Sequence, residues 1–299
     1  DLVIASVSYT LGAGVENLTL VGGDLNGTGN ALANIITGTN GANVLNGAGG
    51  TDTLFGQGGD DTLILSGDIG YGSVFTIDGG LGADTLRLSG FSQSYFQTVT
   101  LSGLERLEFA GSVYQVSFAP GQLPSTLTVD ASLTGSTPRI YIDPLSAVGA
   151  VNVDLSGWSF TSWSGYTFIF GSYASGINAL IIDTITGSSA NDFIYGYGGD
   201  DVLSGGGGID WIYGGNGADT IHGGDGADTL LGEGGGVETL YGDAGDDYLG
   251  SQSASNDILD GGTGVDYMIA GDGDDTYYVD NAADNADESN NSGTDLVIA

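Results

Sequence analysis

In the second half of the chain a large apolar residue returns at nearly every ninth position. Ile194, Leu203, Ile212, Ile221, Leu230, Leu240, Leu249, Leu259, Met268 and Tyr277 form this series, and Leu45, Leu54, Leu63 and Leu86 form a shorter one near the start. The residues on either side are mostly polar or small, as in Asp219-Thr220-Ile221-His222. Each apolar centre has room for a strand of three residues, too short for a helical turn. Side chains alternate faces along a strand, so the apolar residue points one way and its neighbours the other. The pattern predicts short strands stacked around one inward column. No helical period of useful length appears.

The six residues between strands account for the glycine, which makes up 57 of 299 residues. One unit reads Gly205-Gly206-Gly207-Gly208-Ile209-Asp210-Trp211-Ile212-Tyr213, the next Gly214-Gly215-Asn216-Gly217-Ala218-Asp219-Thr220-Ile221-His222. Glycine permits positive φ and close backbone approach, so six residues suffice for a tight turn. Two nonapeptides then make one coil, with turns on opposite edges.

Each turn ends on an acid, and coiling stacks these acids in ladders. One edge carries Asp192, Asp210, Asp228, Asp247 and Asp266, the other Asp201, Asp219, Glu238, Asp257 and Asp275. The unit of Glu238 holds one extra residue. The first array places Asp52, Asp61 and Asp84 in the same slot, and puts Asn43, which has an oxygen but no charge, ahead of them. Successive strands lie about 4.8 Å apart. Bare carboxylates at that distance repel, and a hard divalent cation between them replaces repulsion with coordination.

Charge sharpens this picture. The chain has 38 acidic residues, three Arg and no Lys, for a net charge of -35. Such a charge ordinarily opposes a compact state. Yet 40% of residues are hydrophobic and 9% aromatic, which suits a folded chain. The conflict resolves if the carboxylates find a partner outside the polypeptide. A nucleic-acid partner is excluded, because phosphate needs Lys and Arg. Without Cys there are no disulfides and no thiolate zinc sites. Membrane insertion is not expected, since no apolar run approaches the roughly 18 residues of a spanning helix. The beginning lacks the features of a signal peptide.

The nonapeptide G-G-x-G-x-D-x-U-x, with U large and apolar, resembles the RTX (hemolysin-type calcium-binding) repeat. The resemblance covers roughly residues 1–88 and 187–299. It implies an all-β fold, a right-handed parallel β-roll or β-solenoid with stacked Ca²⁺-binding turns, each ion shared by two turns on one edge. It also implies multiple Ca²⁺ ions, held by the thirteen acids in the slot: Asp52, Asp61, Asp84, Asp192, Asp201, Asp210, Asp219, Asp228, Glu238, Asp247, Asp257, Asp266 and Asp275.

The chain divides accordingly into connector strands with a degenerate repeat (1–37), a first repeat block (38–88) interrupted at 65–78, a metal-poor stretch (89–186), a second block (187–279) and an acidic connector (280–299). The middle differs in composition: 91–186 holds six acids and two Arg, whereas 187–279 holds 18 acids and neither Lys nor Arg. Strand formers cluster at 104–109, 113–118, 127–129, 140–142, 151–155 and 167–170. They predict either wider, metal-free solenoid coils or an inserted β-domain. The aromatic run from Gly157 to Tyr166 reads as core filling, with an exposed glycan-binding platform as the alternative. Arg87, Arg106 and Arg139 are expected to pair with carboxylates, and His222 to lie on the surface.

Asp-Leu-Val-Ile-Ala occurs at both 1–5 and 295–299. The repetition suggests that the chain is one period of a longer tandem array, joined by a connector similar to those between RTX blocks of giant bacterial surface proteins. The expected function is a calcium-binding structural module of a secreted filament, adhesin or surface layer. It would be extracellular and type I secreted, with neighbouring copies of the module, and glycans or a cell surface, as partners. No catalytic signature is present: there is no H-E-x-x-H, and G-x-S-x-G has no usable His. The alternative is the calcium-dependent roll of a secreted polysaccharide-active enzyme, or a glycan-binding adhesin module.

Overall fold

The computed structural model describes residues 1–67, 69–70, 72–90, 92–96, 98–134, 137–144, 150–171, 181–288 and 292–299. Parts of the predicted interruption, middle stretch and acidic connector lie outside the described residues. Among the described residues every regular element is a β-strand, and neighbouring strands pair in parallel. The protein is a β-solenoid. It resolves into two units, one of residues 1–141 with 158–165, the other of 142–157 with 166–299.

In the second unit the coil length is the sequence period made visible. Phe193 pairs with Trp211 and Val202 with Thr220, so each strand meets the one two nonapeptides further on. One sheet runs through Tyr166–Phe170, Asp192–Gly198, Trp211–Asn216, Thr229–Leu231, Tyr248–Ser253, Tyr267–Gly271 and Asn285–Ala286. The other runs from Asn152–Asp154 to Leu296–Ile298 through six intervening strands. Their inward columns, Ile194-Ile212-Leu230-Leu249-Met268 and Leu203-Ile221-Leu240-Leu259-Tyr277, are fully buried. Every coil thus adds an apolar layer of the same kind, and each layer is covered only by the coils above and below it.

The glycine at the fourth position of the turn has a specific cause. Gly226 holds φ +150, and a Cβ there would lie 1.5 Å from the carbonyl oxygen of Gly208 in the preceding coil. The turns stack backbone against backbone, which leaves no room for a side chain. The second turn position is less strict: Tyr197 and Asp243 adopt φ of 72 and 69 there.

The first unit begins with the same coil and then widens. Thr53 pairs with Ile35, again two nonapeptides away. Thr85 instead pairs with Thr62 on one side and with Arg106 on the other, and both steps are longer than two nonapeptides. The strand Arg106–Gly111 pairs in turn with Thr126–Thr134, where a bulge shifts the register. The chain from 85 to 134 therefore continues the solenoid as wider coils. Their larger interior takes Phe96, Phe109 and Phe118 in place of single Leu residues. From the aromatic run, Gly157–Thr161 forms an edge strand beside Thr126–Thr134. Trp158 is buried, and its indole N–H donates to the Pro124 carbonyl at 3.0 Å.

Candidate metal centre

The acids of the turns stand in two columns in the second unit, joined by one repeated hydrogen bond. The main-chain N–H of each slot residue donates to one carboxylate oxygen of the slot residue a coil later. On one edge Asp192 donates to Asp210, Asp210 to Asp228, Asp228 to Asp247 and Asp247 to Asp266, at 2.8–2.9 Å. On the other, Asp201 donates to Asp219, Asp219 to Glu238, Glu238 to Asp257 and Asp257 to Asp275. In the first unit Asn34 donates to Asp52, Asn43 to Asp61 and Asp61 to Asp84. All thirteen slot acids are at most 3% exposed.

The ladder satisfies only one oxygen of each carboxylate. The second oxygen of Asp61, Asp84, Asp201, Asp210, Asp219, Asp228, Glu238, Asp247, Asp266 and Asp275 is buried without a hydrogen-bond partner. An unpaired buried charge is costly, so this repeated omission needs a physical reason. The surroundings of that oxygen supply one. Above Gly205, a Cβ would meet Asp210 Oδ2 at 2.2 Å and the Gly223 carbonyl oxygen at 2.5 Å. The same pairing recurs above Gly196, with Asp201 Oδ2 and the Gly214 oxygen, and above Gly214, with Asp219 Oδ2 and the Gly232 oxygen. Each cradle joins a carboxylate of one turn to a carbonyl of the next on the same edge. The donors are all oxygens, the set a hard cation such as Ca²⁺ takes. Glu238 departs from the pattern, because its extra methylene occupies the space over Gly232.

The electrostatics agree with the geometry. Burial pushes the Asp210 carboxyl up to about 9, with the Asp192 and Asp228 carboxylates adding to it. Burial likewise raises Asp201 and Glu238 to about 8 and Asp247 to about 7. Asp52, Asp61, Asp219, Asp228 and Asp275 rise to about 6 for the same first reason. Without a positive partner these groups keep their protons to higher pH than an ordinary carboxyl does, and a bound cation would favour the ionised form.

Four slots are capped by the chain itself, although Asp192 Oδ1 stays buried without a partner. Ser188 donates to Asp192 Oδ2 through its N–H at 2.7 Å and its hydroxyl at 2.9 Å. Thr39 caps Asn43 in the same manner, and the Asn30 N–H caps Asn34. The hydroxyls of Ser251 and Ser253 both donate to Asp257 Oδ2. Here a hydroxyl or amide replaces the second glycine of the turn or extends it, and supplies the positive dipole internally. Asp192 and Asp257 thus differ from the other candidate ligands.

The ladders also extend past the residues recognised from sequence. Asp183 accepts from the Val151 N–H and donates to Asp201. Asp284 and Asp295 accept from Asp266 and Asp275, and Glu105 accepts from Asp84. Asp183 carried a legible signal, since it lies one nonapeptide before Asp192 and two places before the inward Ile185. His222 sits on the surface, stacked on Tyr241 at 4.5 Å and bonded to Asp243 at 3.0 Å. Arg87 pairs with Glu108 at 2.8 Å, and Arg106 with Asp130.

A family sequence model described as the RTX calcium-binding nonapeptide repeat (4 copies) matches residues 28–63, 182–212, 204–236, 234–249 and 253–285. These matches include the orphaned oxygens of the second unit and that of Asp61 in the first, but not that of Asp84. No curated protein matches the chain in sequence.

Proposed function

Because the chain is an RTX calcium-binding nonapeptide repeat protein, we propose that it is a structural module whose folding is driven by Ca²⁺ and that it serves in an extracellular filament, adhesin or surface layer. One observation carries the calcium reading: the ladder of buried carboxylate oxygens without partners, those of Asp61, Asp201, Asp210, Asp219, Asp228 and Asp247 each beside a carbonyl of the next turn. The cations would be held by Asp61, Asp84, Asp201, Asp210, Asp219, Asp228, Asp247, Asp266 and Asp275, with Glu238 and Asp52 in related positions. Bound there, Ca²⁺ supplies the positive charge that the polypeptide lacks. Binding free energy then becomes folding free energy.

The filament reading rests on architecture. A solenoid coil contacts only its neighbours, so modules join end to end without redesign. The recurrence of Asp-Leu-Val-Ile-Ala at 1–5 and 295–299 favours neighbouring copies of the module as partners. Among the described residues no helix is long and apolar enough to cross a membrane. The module has no enzymatic role in this reading.

The test is a Ca²⁺ titration of the chelated protein, followed by far-ultraviolet circular dichroism. The β-signal should be lost in EGTA and return cooperatively with Ca²⁺, but not with equal Mg²⁺. A full β-signal in EGTA would contradict the calcium reading. Electron microscopy of native surface material then tests the filament, and discrete particles with hydrolytic activity would contradict it.

A second reading has an observation of its own. Tyr166, Phe168, Phe193 and Trp211 form a row of rings 5.0–5.8 Å apart on an outward face, with Tyr166 and Trp211 about two-fifths exposed. Such flat apolar faces suit sugar rings. Retention on polysaccharide resin that is lost in Trp211→Ala would support a glycan-binding module.

A further inference from the structure

The second ladder ends on a cluster that the nonapeptide does not explain. Oxygens of Asp275, Glu288 and Asp295 all lie within 4.8 Å of one another. Asp275 and Asp295 are consecutive members of one edge, because the Asp275 N–H donates to Asp295 Oδ1 at 3.0 Å. Glu288 belongs to no turn of the repeat. It enters from the acidic connector, and the buried phenol of Tyr277 donates to its Oε1. The Tyr277 hydroxyl also accepts from the Ala270 N–H at 2.9 Å, so the ring is held at both ends of its hydroxyl and sets where Glu288 lies.

Three carboxylates this close cannot all be ionised without compensation. The chain's only Lys or Arg residues are Arg87, Arg106 and Arg139, all in the other unit. An independent observation points to what fills the cluster. Asp275 is 1% exposed, and its Oδ2 has no hydrogen-bond partner.

We propose that Asp275, Glu288 and Asp295 form a divalent-cation site, selective for Ca²⁺, that clips the acidic connector onto the last repeat coil. The proposal rests on the calcium reading of the ladder and adds a ligand from outside it. The charge of Glu288 gives the last coil a third carboxylate where inner coils use a carbonyl of the next turn. The cation therefore closes the end of the ladder, and the connector docks only when it is present.

Native mass spectrometry of the full chain at saturating Ca²⁺ counts the bound ions, and limited proteolysis reads the connector. Glu288→Gln keeps the acceptor for Tyr277 and removes the charge. It should bind one Ca²⁺ fewer, keep the β-signal, and expose residues 280–288 to cleavage at a Ca²⁺ concentration that protects the wild type. Tyr277→Phe removes the phenol that positions Glu288 but keeps all three carboxylates, so it should keep the full count at saturating Ca²⁺ and need more Ca²⁺ than the wild type to protect residues 280–288. An unchanged count and unchanged protection in Glu288→Gln would overturn the site while leaving the ladder intact. Loss of the β-signal with all cations in that variant would assign Glu288 a structural role and overturn it too. A wild-type chain that binds no Ca²⁺ would overturn the ladder and the site together.

Discussion

The repeat coils and the wide coils meet the same problem and solve it differently. In both, parallel strands stack acids at one strand spacing, where like charges repel. In the wide coils Arg87 bridges to Glu108 and Arg106 to Asp130 in the next coil. Burial raises Asp130, but hydrogen bonds from Ser132 and the Arg106 guanidinium outweigh it and hold the carboxyl below its usual range. In the repeat coils of the second unit no Lys or Arg exists, most slot acids keep one buried oxygen without a partner, and burial drives carboxyls such as that of Asp210 upward. A stack that carries its own cations needs no calcium to offset that repulsion. One that omits them is conditional on calcium.

The largest way to separate the regions is steric. Gly226→Ala would drive a Cβ to 1.5 Å from the Gly208 oxygen. It should cost about 4 kcal/mol or more in the Ca²⁺-loaded protein, measured by urea denaturation. Gly121→Ala, at φ +69 with open space around it, should cost about 1 kcal/mol of backbone strain. Equal costs would mean that the narrow coils are not packed backbone to backbone.

Acid separates the regions by sign. In EGTA the folded repeat coils bind protons that the unfolded chain releases, since Asp210 lies near 9 and Asp201 near 8, against an unfolded value near 4. Stability therefore falls as pH rises through that window, and acidification from pH 9 to pH 5 should recover β-signal. Asp130 is depressed, so its contribution is present above about pH 4 and lost below its folded value. A metal-free array that unfolds further on acidification to pH 5 would contradict the assignment. With Ca²⁺ present the sign reverses for the array, because protons compete with the cation.

Smaller effects follow from single groups. Glu108→Gln breaks a pair whose Arg87 side is about one-third exposed, and should cost about 1 kcal/mol, reduced by salt and insensitive to EGTA. Ser188→Gly removes the hydroxyl that caps Asp192 and restores the paired glycines. It should raise the Ca²⁺ count by one, read by native mass spectrometry. An unchanged count would show that the hydroxyl does not stand in for the cation.

What could be read from sequence follows this divide. The nine-residue period places all fourteen inward residues from Leu45 to Tyr277, each fully buried, because a fixed coil length keeps the apolar residue in phase. The wide coils step unevenly, from Thr62 to Thr85, then to Arg106, then to Thr128, so no period survives there. Their strands were legible only as clusters of β-formers, and Gly157–Thr161 only as an aromatic run. Within the ladders, Asp183 was legible from its nine-residue spacing to Asp192, whereas Asp284 and Asp295 were obscured because their turns lack paired glycines. Capping by Ser188, Thr39 and Ser253 was hidden for a related reason. A degenerate turn looks the same in sequence whether it has lost its function or replaced the cation with a hydroxyl.

The central claim is that the repeat coils lack an internal counter-charge and depend on Ca²⁺, whereas the wide coils do not. Region-resolved hydrogen exchange with and without EGTA tests it most directly. Amides of the ladder, such as those of Asp201, Asp210, Asp219 and Asp228, should lose protection by several orders of magnitude when Ca²⁺ is removed. Those of the Arg-bridged strands Arg106–Gly111 and Thr126–Thr134 should lose far less. Equal protection of the ladder amides in EGTA and in Ca²⁺ would contradict the account.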